Sequence, residues 1–151
     1  MKAKVFLPPN KIQNRPSVFL AGSIEMGKAI DWQQQVTIYL MDHDIDIYNP
    51  RRTDWDSSWE QSIGNEQFYN QVCWELDALE RATYILMFFD SATMSPISLL
   101  ELGLHARSKK LIVVCPKEFW RKGNVDVVCE YYGIDQFDTL DEAVQYIKEM
   151  I

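Results

Sequence analysis

Three stretches of this chain carry residue types that do chemistry once a fold brings them together. The first, Ser95-Pro96-Ile97-Ser98-Leu99-Leu100-Glu101-Leu102-Gly103-Leu104-His105-Ala106, has helical spacing, and Glu101 is the one acid among four leucines and an isoleucine. Buried carboxylates are rare unless paired. Such a residue is therefore either a nucleophile or general base aimed into a cleft, or a solvated group on the helix's outer stripe. Gly103, two residues on, fits either a close backbone approach or helix packing. The second stretch, Asn49-Pro50-Arg51-Arg52-Thr53-Asp54-Trp55-Asp56-Ser57-Ser58-Trp59, puts two Trp, two Arg and two Asp in eleven residues. A planar heterocycle stacked on Trp55 or Trp59, with Asp54, Asp56 or an Arg bonded to its edge, would explain those aromatics; packing of both indoles beneath the loop is the alternative. The third, Gly22-Ser23-Ile24-Glu25-Met26-Gly27-Lys28, is a strand-to-helix turn whose N–H groups could receive an anion. It matches neither GxGxxG nor GxxxxGK[ST], Glu25 opposes a phosphate, and Gly22 as a turn with Ser23 as a cap accounts for it as well. His43 and His105 have no partner at metal-ligand spacing, so neither a metal nor an organic cofactor is expected.

Short apolar runs alternating with helical periodicity must position these stretches. Residues 17–22, 45–48, 84–89 and 111–115 read as strands, the last two as dense runs at the centre of a sheet. Ala29, Trp32, Val36 and Tyr39 recur at helical spacing, as do Phe68, Val72, Cys73, Leu76 and Leu79, then Leu99, Leu100, Leu102 and Leu104, each set read as covering the sheet. Residues 122–131 and 139–149 add two helices, with Thr139 and Glu142 spaced as a capping box. The pattern predicts a single-domain α/β fold, a flavodoxin-like or Rossmann-like doubly wound parallel sheet of about five strands. The domain runs over 17–151, and 1–16 is an irregular lead-in with one candidate edge strand at Val5-Phe6-Leu7. In such sheets ligands bind outside the carboxyl ends of the strands, where the three stretches fall together with residues 90–98 and 116–124.

Composition narrows the partners. Among 151 residues, 47% are apolar and 25% charged, enough for one buried core. Fifteen Lys and Arg against 22 Asp and Glu give a net charge of −7 and no basic stripe, so a nucleic-acid polymer is not an expected partner. No apolar run approaches the ~20 residues of a membrane span and no signal-peptide cleavage pattern is visible, so a cytoplasmic location without membrane contact is expected. Cys73, Cys115 and Cys129, odd in number and widely spaced, read as reduced thiols.

Four segments in this order resemble the nucleoside 2-deoxyribosyltransferase family over residues 17 to about 133. They are Val18-Phe19-Leu20-Ala21-Gly22-Ser23-Ile24, Asn49-Pro50-Arg51-Arg52-Thr53-Asp54-Trp55, Trp74-Glu75-Leu76-Asp77-Ala78-Leu79-Glu80-Arg81-Ala82, and Ser95 through Gly103. The resemblance implies that Glu101 attacks C1′ of a 2′-deoxyribosyl group, expels the base and forms a glycosyl ester that an acceptor base or water resolves. It implies Asp77 as the carboxylate positioning nucleophile and sugar, with Gly22, Ser23 and Ser95 contacting sugar or phosphate; the Trp-rich loop then offers Trp55 with Asp54 or Asp56 as the base contacts. Asp56 and Asp90 are candidates by position for protonating the leaving base. The family also implies a homo-oligomer with shared sites, in which a neighbouring subunit supplies a polar substrate contact at about the position of Asn124.

The chain departs from the transferases at two places. Phe19 stands where they carry Tyr, and Ser95 where they carry Asp six residues before the nucleophile. A Ser there is similar to the related 2′-deoxynucleoside 5′-phosphate N-hydrolases, in which it contacts the phosphate with the Gly-Ser-Ile turn, whereas Glu25-Met26 opposes a phosphate by like charge. Three functions stay open: transfer or cleavage of the N-glycosidic bond of a deoxynucleoside, hydrolysis of its 5′-monophosphate, and a non-catalytic nucleotide-binding module.

Overall fold

The dense apolar runs pair as expected. In the computed structural model, which describes residues 2–24, 30–51 and 58–151, six parallel strands form one sheet in the order β1-β3-β2-β4-β5-β6. They are β1 (Lys4–Phe6), β2 (Ser17–Gly22), β3 (Asp46–Tyr48), β4 (Tyr84–Phe88), β5 (Leu111–Val114) and β6 (Asp135–Phe137). The helices are α1 (Trp32–Leu40), α2 (Glu66–Arg81), α3 (Pro96–His105), α4 (Lys122–Tyr132) and α5 (Leu140–Met150). The central strands pair β2 to β4 from Val18 opposite Tyr84 through Gly22 opposite Phe88, and β4 to β5 from Ile85 opposite Leu111.

Helix starts follow local chemistry. The side chains of Asp31, Asn65 and Thr139 accept from Gln34 N, Phe68 N and Glu142 N, giving α1, α2 and α5 a partner for an otherwise orphan N–H. Thr139 Oγ1 also donates to Glu142 Oε1 at 2.9 Å, so the two residues read as a capping box do pair, Glu142 through the threonine hydroxyl.

The sheet is covered on both faces. On one, Trp32, Val36 and Leu40 of α1 pack with Ala143, Val144 and Ile147 of α5 over Val18, Leu20 and Ile112. On the other, Trp74, Ala78 and Leu79 of α2, Leu102 of α3 and Val125 and Cys129 of α4 pack over Phe19, Ala21, Ile85, Met87 and Val113. From β2 the chain turns outward to β3 over the first face, and from β3 it crosses back past β2 to β4 over the second. The carboxyl ends of β2 and β4 therefore flank the point where the winding reverses, the usual ligand crevice of such a sheet.

Two readings of the sequence are corrected here. The sheet has six strands, not about five. Lys4–Phe6 of the lead-in pairs with β3, and Asp135–Phe137 pairs with β5 although its Asp-Gln-Phe carries no apolar run; an edge strand gains its ladder from one neighbour and needs no buried face. Helix α3 is also turned relative to its apolar pattern. Leu102 lies in the core, but Leu100 and Leu104 face outward, 59% and 57% exposed, while Ser98, Glu101 and His105 point in.

Candidate functional site

A helix that buries Ser98, Glu101 and His105 and exposes Ile97, Leu100 and Leu104 inverts the usual hydrophobic pattern, and its polar inward face marks the site. Glu101 is 7% exposed, in the second turn of α3. Burial, then the charge of Glu75 on α2, pushes its carboxyl up to about 8. Glu75 is half-buried; burial lifts its own carboxyl to about 7, and a side-chain hydrogen bond with Gln71, one turn earlier, opposes the rise. Burial is thus the larger cause of the rise at both carboxyls, and at Glu101 the neighbouring charge adds to it. His105, one turn beyond Glu101, is buried, and burial lowers its pKa, Lys110 adding to the fall and Glu80 opposing it, which favours the neutral imidazole.

The turn after β2 and the loop after β4 are clasped by hydroxyls. Ser23 Oγ lies 2.5 Å from Ser95 Oγ and accepts from Asp90 N at 2.7 Å and Thr93 Oγ1 at 3.0 Å; Thr93 Oγ1 is also 2.7 Å from Ser95 Oγ. Ser23, Thr93 and Ser95 are all buried. Ser95 sits in the left-handed region at φ 48°, ψ 53°, just before Pro96 opens α3. A non-glycine residue held there costs on the order of 1 kcal/mol, and the hydroxyl contacts fix it, which sets the angle at which α3 and Glu101 leave the sheet. Gly22 has φ 134°, and a Cβ there would lie 2.2 Å from Phe88 O, so β2 and β4 approach this closely only with glycine at that position.

Asp90 braces the same corner. Its Oδ2 accepts from Ile30 N and its Oδ1 from Ala92 N, both at 2.9 Å. Arg51, at the end of β3, donates to Ile30 O at 2.9 Å and to Gln33 Oε1 at 3.2 Å. Gln71 Nε2 reaches Pro50 O at 3.4 Å, tying α2 to the start of the loop after β3.

The residues expected at a site thus divide. Gly22, Ser23, Asp90 and Ser95 meet at the carboxyl ends of β2 and β4, and Glu101 projects from the helix that follows. Asp77, expected to position the nucleophile, is 55% exposed and paired with Arg81 at 3.4 Å. It lies two residues beyond Glu75, about 200° round the helix, so α2 turns Asp77 toward solvent while the half-buried Glu75 is the residue whose charge acts on Glu101. Asn124 is exposed in the first turn of α4. Asp54, Trp55 and Asp56 lie outside the described residues, as does Glu25. Phe19, where the transferases carry Tyr, is wholly buried in the core. Glu75, Gln71 and Thr93 went unnoticed in the sequence. For the first two the available signal was the i, i+3 spacing of Gln71 to the buried Trp74 and of Glu75 to the buried Ala78.

The model of the family described as nucleoside 2-deoxyribosyltransferase like matches residues 15–119, more than two-thirds of the chain. The chain belongs to that family. The match begins just before β2 and ends after β5, so it takes in the β2 turn, the loop after β3, Glu75 on α2 and all of α3 with Glu101. No curated protein matches the chain. Among the described residues no helix is long and apolar enough to cross a membrane.

Proposed function

We propose that this member of the nucleoside 2-deoxyribosyltransferase-like family breaks the N-glycosidic bond of a 2′-deoxynucleoside through a covalent ester on Glu101. The observation that carries the reading is the burial of Glu101 on the polar inward face of an otherwise apolar helix. A carboxylate oxygen of Glu101 attacks C1′ as the C1′–N bond breaks, and that bond's electron pair leaves with the base, which takes up a proton. Glu75, whose carboxyl burial raises to about 7, is a source for that proton. A ring nitrogen of an acceptor base, or water, then attacks C1′ and frees the carboxylate. Glu75, rather than Asp77, is the second carboxylate of this scheme, because it acts on Glu101 from within the fold whereas Asp77 is solvated. Asp54, Trp55 and Asp56 are the base contacts of the proposal.

The hydroxyl clasp favours a nucleoside over its 5′-monophosphate. Ser23, Thr93 and Ser95 bond to one another and to Asp90 N, so a phosphate would have to displace those contacts to use them. The outward face of α3 supports self-association: Ile97, Leu100 and Leu104 form one stripe beside Gly103, where an added Cβ would meet nothing within 4 Å. A second copy packed along this stripe would bury apolar surface next to the helix that carries Glu101, and Trp120, exposed and bonded through Nε1 to Met94 O at 2.8 Å, extends the same face.

Chromatographic release of free base from a panel of deoxynucleosides and their 5′-monophosphates, with and without a second base, tests the reading. Release that needs the second base defines a transferase, and release without it a hydrolase. No release from any substrate, or equal release by Glu101→Gln, would leave a nucleotide-binding module in its place.

A further inference from the structure

Three loops at the carboxyl end of the sheet meet at the first residues of α1. Trp32 Nε1 donates to Ser23 O, in the turn after β2, at 3.0 Å. Ile30 N donates to Asp90 Oδ2, in the loop after β4, at 2.9 Å. Ile30 O accepts from Trp32 N and from Nη1 of Arg51, just past β3, both at 2.9 Å. The same Nη1 donates to Gln33 Oε1 at 3.2 Å, and Oδ1 of the exposed Asp31 stands 4.0 Å from it. Asp90 Oδ1 accepts from Ala92 N at 2.9 Å, so both carboxylate oxygens hold main chain. We propose that Asp90 and Gln33 are positioning residues for the base half of the substrate: they hold Ile30 and Arg51, which fixes where the loop after β3 begins, and Asp90 is not the acid that protonates the leaving base. The inference rests on the function proposed for Glu101 and deepens it.

Gln33 supplies an independent observation. It is wholly buried, and a guanidinium only donates, so Oε1 must face Arg51 and Nε2 is left buried with no partner. A buried donor without an acceptor is destabilising, and a methionine of similar length would not incur that cost. The glutamine is accounted for by its hold on Arg51 and not by stability. The nucleophile is held by other bonds. The clasp of Ser23, Thr93 and Ser95 sets the start of α3, and Asp90 joins it through its main-chain N–H, which Asp90→Asn keeps. Contacts to the base away from the reacting bond act on ground state and transition state alike, so loosening them raises KM and spares kcat.

The test is the kinetics of base release from the common 2′-deoxynucleosides by wild type, Asp90→Asn, Gln33→Met and the double variant. Asn puts an NH₂ group where one of two accepting oxygens stood, and Met lacks the acceptor for Arg51. Each single variant should raise KM by about tenfold, with kcat falling less than about threefold and the alkaline limb of the pH profile unmoved. The double variant should be no worse than the worse single, because both residues act through the same corner. A kcat loss of about a hundredfold with the alkaline limb gone would make Asp90 the acid and overturn the proposal. KM effects that multiply in the double variant, or an unchanged KM, overturn it equally. Should Asp90→Asn fail to fold, Gln33→Met combined with Arg51→Met gives a cycle judged by the same criterion. If the wild type releases no base, the functional reading fails on its own. Amide exchange at Ile30, expected to quicken about tenfold or more in Asp90→Asn, then judges the contact, and an unchanged rate overturns it.

Discussion

Glu75 on α2 raises the pKa of Glu101 on α3, so a carboxyl on one helix acts on a buried carboxyl of the next. The pair accounts for a carboxylate among leucines better than a solvated glutamate does. Glu101 is buried, and Leu100 and Leu104 are exposed.

Glu75→Gln removes the like charge and leaves the volume. Glu101 should then ionise at lower pH, and base release should fall by about tenfold or more as the second carboxylate is lost. Asp77→Asn, at an exposed i, i+4 pair with Arg81, should change release by less than about twofold, since such pairs contribute a few tenths of a kcal/mol to helix stability. Release rates of the two variants side by side check which carboxylate belongs to the site.

The carboxyl pair also sets a pH dependence of stability. Both folded-state pKa values lie above the usual carboxylate range, so the folded protein binds more protons than the unfolded chain between about 4.5 and about 8. The stability these groups contribute is full below about 4.5 and is lost as pH rises through about 7 and about 8. Glu101→Gln cannot ionise, so relative to wild type it should gain on the order of 2 kcal/mol between pH 5 and pH 8, measured by urea unfolding at the two values.

Gly22→Ala would place a Cβ 2.2 Å from Phe88 O at φ 134° and force β2 from β4 at the switch point. A loss of roughly 2 kcal/mol or more in unfolding free energy is expected, together with loss of base release because the hydroxyl clasp spans the same junction.

Much of this was legible in the sequence. The four apolar runs, the two C-terminal helices and the Thr139 cap emerged from periodicity because each depends on local pattern. Edge strand β6 did not, since Asp135–Phe137 pairs by virtue of its neighbour β5 and not of its own residues. The carboxylate on an apolar helix pointed to Glu101, but the choice between Asp77 and Glu75 depends on the rotational phase of α2. Its apolar set, read as Phe68, Val72, Cys73, Leu76 and Leu79, was turned from the face the fold buries: Cys73 and Leu76 are exposed, and Gln71, Trp74, Ala78 and Leu79 are inside. Burying a glutamine and a glutamate is costly and runs against hydrophobic pattern, so periodicity alone misplaces a helix whose inner face is functional.

Leu100→Glu tests the outward stripe. Placed at a 59% exposed position it should cost the monomer little stability, and it should shift sedimentation toward the monomer if copies pack along α3. Identical sedimentation of both proteins would remove this face as the contact.

The central claim is the covalent ester on Glu101. Protein mixed with a deoxynucleoside that it cleaves, quenched in acid and mapped by peptide mass spectrometry, should carry a deoxyribosyl group on the peptide holding Glu101, absent in Glu101→Gln and cleared by an added base or by water. Base release with no adduct in the wild type, or an adduct on Glu75 that persists in Glu101→Gln, would contradict it.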